Sequence, residues 1–112
     1  MILWHNPRCS KSRQALALLE ENGATVELRK YLDDAPSLIE LKAAQKALGL
    51  PAIAMMRPNE AEFKAMGLAK TDDDEKLLAA MATAPKLIER PIAFAKDRAV
   101  IGRPPERVLE LL

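Results

Sequence analysis

The chain has 112 residues, 49% of them hydrophobic and 29% charged, a mixture that excludes intrinsic disorder and suits a packed core. Seventeen Lys and Arg against sixteen Asp and Glu leave a formal net charge of +1, so no global basic field exists to bind nucleic acid. One cysteine excludes an internal disulfide, and no apolar run is long enough to span a bilayer. Length and the lack of any linker or repeat predict a single domain over residues 1–112. Neither a basic, apolar leader nor a disulfide framework is present, so a reducing cytoplasm is the expected compartment.

In chain order, Met1, Ile2, Leu3 and Trp4 form an apolar run stopped by Asn6-Pro7, which predicts a buried strand. From Ser10 the period turns helical, with Ala15, Leu18, Leu19 and Leu16 on one stripe, until Asn22-Gly23 supplies the stop. Residues 26–32 predict a second strand, with Val26, Leu28 and Tyr31 as its apolar side chains. Strand, helix and strand in sequence make a βαβ unit, whose strands should be parallel. Ser37 with Glu40 forms a capping box for a helix that Gly49 and Pro51 end. A helical turn is expected over residues 52–56 and a short helix over 59–66, and the acids after Thr71 should open another helix. Residues 92–95 and 98–101 flank Lys96-Asp97, which predicts an antiparallel hairpin. Pro104-Pro105-Glu106 should start a last helix with Val108, Leu109, Leu111 and Leu112 inward. The sum is an α/β fold with a mixed sheet of about four strands.

The run His5-Asn6-Pro7-Arg8-Cys9-Ser10-Lys11-Ser12-Arg13 places the cysteine between a strand end and a helix start, where open α/β sheets bind ligands. Free amides of the first helical turn, the positive end of its dipole and nearby cations all lower a thiol pKa there. The Ser12 hydroxyl is expected to add a donor to the sulfur. Most lone cysteines are inert, small hydrophobes, but this stretch is polar and lacks any apolar period. A Cys-x-x-Cys motif would carry its second thiol where Ser12 stands, so any adduct on Cys9 must be resolved by an external thiol. A phosphatase-type Cys-x5-Arg loop is excluded because Ala15 occupies the arginine position. One Cys and one His are too few ligands for a metal site.

Together, His5-Asn6-Pro7-x-Cys9-Ser10-x-Ser12-Arg13, the Arg57 after an apolar helix, Arg90-Pro91-Ile92 and Arg103-Pro104 resemble the glutaredoxin-coupled arsenate reductase family over essentially the whole chain. The resemblance implies a thioredoxin-like fold: a small mixed four-stranded sheet with flanking helices, a helical insertion, and a cis proline at Pro91. It implies that Cys9 is the catalytic nucleophile and that Arg57, Arg90 and Arg103 clamp the oxyanion. His5, Asn6 and Ser12 match loop positions that support the thiolate. Guanidinium forks suit tetrahedral oxyanions because they can bind bidentately.

The expected function is therefore thiol-dependent reduction of arsenate to arsenite through a covalent Cys9 adduct. Glutathione and glutaredoxin would serve as external reductants, with no bound cofactor, and a monomer is expected. Two rivals come from other classes. A transcription regulator binding RNA polymerase would use a Cys-x-x-Cys pair, whose second cysteine is replaced here by Ser12. A monothiol glutaredoxin reducing glutathione mixed disulfides would not need three arginines around its thiol.

Overall fold

The computed structural model describes residues 1–112. The chain divides into two compact units: residues 1–34 together with 90–112, and the intervening residues 35–89. No helix is long and apolar enough to cross a membrane.

The first unit is built on a sheet of four strands, β1 (Ile2–Trp4), β2 (Glu27–Arg29), β3 (Ile92–Ala95) and β4 (Arg98–Ile101), in the order β2-β1-β3-β4. β1 pairs with β2 in parallel, as the βαβ pattern predicts, and with β3 antiparallel. β3 and β4 form the expected hairpin, with Lys96 at φ 56° turning the chain. The sheet is thus mixed, four-stranded and thioredoxin-like, as the resemblance implied.

Helix α1 (Ser10–Glu21) runs between β1 and β2 and ends where Gly23 takes a φ of 82° that a side chain would resist. One face of the sheet packs on it: Leu3 and Ala93 join Ala15, Leu19, Val108 and Leu111 in a buried cluster. On the other face the Trp4 and Phe94 rings meet in a tilted contact with centroids 4.8 Å apart, and the Arg29 guanidinium lies over the Trp4 ring.

Two elements of this unit differ from expectation. β2 has only three residues, Glu27–Arg29, where a strand over 26–32 was expected, and Leu28 on this edge strand is 43% exposed. The C-terminal segment Pro105–Leu111 is a 3₁₀ helix. Its buried residues, Pro105, Val108 and Leu111, recur every third position, the period of a 3₁₀ rather than an α-helix. Leu112, expected inward, is exposed.

The second unit is helical. Helix α2 (Leu38–Leu48) begins with the predicted capping box: the Glu40 amide donates to Ser37 Oγ at 3.1 Å, and the Ser37 amide donates to the Glu40 carboxylate at 3.0 Å. Short helix α3 (Ala61–Ala65) and helix α4 (Asp74–Thr83) follow, with 3₁₀ turns at Ala52–Met55 and Pro85–Leu87. Asp73 caps α4, while Asp74 accepts from Gln45 and from the Ala52 amide, so its carboxylate joins α2, α4 and the first 3₁₀ turn.

Gly102 is the most closely packed of the glycines. A Cβ there would stand 2.8 Å from Pro91 Cγ and 3.0 Å from Val108 Cγ1. Both neighbours are fully or nearly buried, so Gly102→Ala should cost about 1–3 kcal/mol of stability through overpacking, read as a lower urea midpoint. An unchanged midpoint would mean that the strand end yields freely.

Candidate functional site

The loop leaving β1 is fixed mainly by its own backbone. The His5 amide donates to the Arg29 carbonyl at 2.8 Å, which anchors the strand end to β2. Asn6 then organises the turn: its side-chain oxygen accepts from the Arg8 amide at 3.1 Å, and its carbonyl accepts from the Cys9 amide at 3.0 Å. Cys9 itself is the N-cap of α1, with extended φ and ψ of −93° and 122°. Its side chain therefore stands where the first-turn amides have no intrahelical acceptor.

Two buried side chains brace this loop from inside. Ser12 is fully buried; its Oγ lies 2.6 Å from His5 Nδ1 and accepts from the Asn6 amide at 3.1 Å. Burial pushes the His5 pKa below its ordinary value, and the charges of Lys30 and Arg13 push the same way. Both effects favour the neutral imidazole. The Ser12 hydroxyl was expected on the sulfur, and it is not there. Ser12 reaches Cys9 through its backbone amide, while its hydroxyl joins His5 to Asn6.

Burial is the largest influence on the partly buried Cys9 thiol and pushes its pKa up. Against it act the Ser12 amide, the Arg90 charge, the Lys11 amide and a hydrogen bond from the Arg90 guanidinium, and together they bring the pKa below the ordinary thiol value. Amides at a helix start and an adjacent cation are the expected causes of thiolate formation.

Sheet register brings the arginines in. Ile92 pairs with Ile101 at the end of the β3–β4 ladder, and Arg90 and Arg103 each lie two residues beyond that pair. Trp4 pairs with Ile92, so the cysteine loop leaves β1 at the same end of the sheet from which Arg90 enters β3. The contacts agree: Arg103 Nη1 donates to the Arg90 carbonyl at 3.2 Å, and Arg90 reaches the sulfur with its Nε and Nη1 atoms shielded from solvent. The Arg90–Pro91 and Arg103–Pro104 peptide bonds are both cis, the first as the resemblance implied.

The structure thus gathers His5, Asn6, Cys9, Ser12, Arg90 and Arg103 within the first unit. Arg57 belongs to the second, where its amide donates to the Leu87 carbonyl at 2.7 Å and its guanidinium is ion-paired with Glu60. Arg13 was part of the recognised motif but had no assigned role. Its guanidinium donates to the Pro7 carbonyl at 2.9 Å and ties the helix back to the loop. The signal was its place one helical turn after Cys9, over the N-terminal end of α1.

A family model described as the ArsC family matches residues 4–111. The chain is 48% identical to an arsenate reductase of Neisseria meningitidis, over 98% of its own length and 96% of that protein. It is 46% identical to the uncharacterized protein YfgD of Escherichia coli, over 98% and 94% of the two chains. Among solved structures, an arsenate reductase from Vibrio cholerae superimposes with a TM-score of 0.94 at 50% identity, covering 99% of this chain and 96% of that one.

Arg90→Gln should raise the Cys9 pKa, because it removes both the charge and the guanidinium hydrogen bond from the thiolate. The check is the pH midpoint of iodoacetamide alkylation, which should move upward. The sign also fixes a stability term. A thiol with a lowered folded pKa contributes stability above its unfolded value of about 8.5, and that contribution is lost as pH falls through the folded pKa. Ser12→Ala keeps the amide on the sulfur, so it should shift that midpoint less than Arg90→Gln does. It leaves the Asn6 amide and His5 without a partner, however, and should cost about 1–3 kcal/mol in denaturant unfolding.

Proposed function

Since the chain belongs to the ArsC family, we propose that it is a thiol-dependent oxyanion reductase that converts arsenate to arsenite. The observation that carries this reading is the Arg90 guanidinium on the Cys9 sulfur at the start of α1. A cation and amides in that arrangement stabilise a thiolate and also seat a tetrahedral anion. Arg103, held on the Arg90 carbonyl, supplies a second guanidinium. Arg57 enters as a third by its match to the family motif.

In this reading the Cys9 thiolate attacks arsenic and an arsenate oxygen leaves as water, forming an S–As bond. A glutathione thiolate then attacks the Cys9 sulfur. The S–As bond breaks, its electron pair stays on arsenic, and arsenite departs. Arsenic goes from the +5 to the +3 state while two thiols become one disulfide. Glutaredoxin takes the glutathione moiety off Cys9 and restores the thiolate. Both electrons come from external thiols, as a chain with one cysteine requires. In this reading external thiols do the work of a bound cofactor, and a reducing compartment such as the cytoplasm suits the reaction. A family match across residues 4–111 supports reading the chain as one domain, and a monomer remains the proposed state.

The test is arsenite release from arsenate with glutathione and glutaredoxin present. Cys9→Ser should abolish it. Arg90→Gln should lower kcat/KM by roughly a hundredfold, the usual loss for a preorganised donor on developing charge. Arsenite release from Cys9→Ser at the wild-type rate would remove the reading.

A further inference from the structure

Two exposed cations flank the reacting sulfur without taking part in the site just described. Arg8 precedes Cys9 and Lys11 follows it by two residues, on the outer side of the loop and first helical turn. Neither is ion-paired to a carboxylate. Their backbones are held: the Arg8 amide is fixed on the Asn6 side chain, and Lys11 lies in α1 with its own amide directed at the sulfur. No acid occurs in the sequence before Glu20, in a chain whose net charge is only +1. Any molecule approaching Cys9 from solvent meets a local excess of positive charge on an ordered backbone.

We propose that Arg8 and Lys11 form a docking surface that selects the thiol attacking the Cys9 adduct by its charge, favouring a small thiol that carries carboxylates over a neutral or cationic one. The inference rests on the proposed reading in one respect, that an external thiol must attack Cys9. Charged groups around a reactive centre act mainly on encounter rates, and their effect is screened by salt. A small co-substrate fits better than a protein face. Residues 5–13 offer no large exposed apolar side chain to anchor a protein interface, and the two cations lie within three positions of each other.

The experiment uses the full chain with Cys9 converted to its pyridyl mixed disulfide by dithiodipyridine. An incoming thiolate attacks the Cys9 sulfur, the sulfur–sulfur bond to the pyridyl group breaks, and thiopyridone leaves with the electron pair and is read by its absorbance. Mercaptopropionate, mercaptoethanol and cysteamine serve as anionic, neutral and cationic probes. Rates are expressed per thiolate and divided by those on the pyridyl disulfide of N-acetylcysteine amide.

The expected order is mercaptopropionate fastest and cysteamine slowest. Their ratio should exceed that of the small disulfide by roughly tenfold, the low end of electrostatic rate enhancement. High salt should collapse the ratio, and the Arg8→Gln, Lys11→Gln double variant should lose most of it. A wild-type ratio equal to that of the small disulfide would overturn the proposal. So would a double variant that keeps the wild-type ratio, since the preference would then come from Arg90. Arsenite release measured in parallel separates the two claims: its absence with the charge order intact would remove the arsenate reading and leave this surface standing.

Discussion

The site depends on a sulfur that is partly buried yet stabilised as an anion. Burial alone would keep the Cys9 thiol protonated, and it is the largest single influence on that group. It is outweighed because Cys9 caps α1, so that the Lys11 and Ser12 amides point at the sulfur, and because Arg90 lies beside it. The rest of the first unit maintains this balance. Ala15 and Leu19 pack α1 onto Leu3 and Ala93, which fixes where the helix begins relative to β1. His5, Ser12 and Asn6 hold the intervening loop from within, and Arg13 ties it to Pro7 from outside.

Arg90 reaches the sulfur by a different route, from the end of the paired strands, with Arg103 held on its carbonyl. Arg90 and Arg103 are thirteen residues apart in sequence, and the β3–β4 register brings them together. The same ladder joins β3 to β1, and so to the strand that feeds the cysteine loop. Gly102 is part of this arrangement: its missing side chain lets the end of β4 close on Pro91 and Val108. One antiparallel ladder therefore serves both as the centre of the sheet and as the device that aims a cation.

Most of the fold was legible because its signals are local. Asn22-Gly23, the Ser37 capping box and the Lys96-Asp97 turn each determine the backbone within a few residues, and each stands where the sequence placed it. The departures have non-local causes. β2 lies at a sheet edge, so nothing requires Leu28 to be buried. The last segment reads equally well as α or 3₁₀ until the sheet and α1 select Pro105, Val108 and Leu111, three residues apart. At the site, the cysteine and its cationic setting could be read from one run of nine residues. The role of Ser12 could not, because the Asn6 amide and His5 together take up its hydroxyl inside the fold. The approach of Arg90 depended on strand register, which motif spacing does not give.

Cys9 is a partly buried thiol whose anion is favoured by the same cation and amides that would seat an oxyanion beside it. The most direct measurement is the rate of Cys9 alkylation by iodoacetamide at neutral pH, with and without arsenate at constant ionic strength. Rapid alkylation that slows in a saturable way as arsenate is added is the result this account predicts. Sluggish alkylation indifferent to the anion would contradict it, returning the sulfur to the class of inert, half-buried thiols.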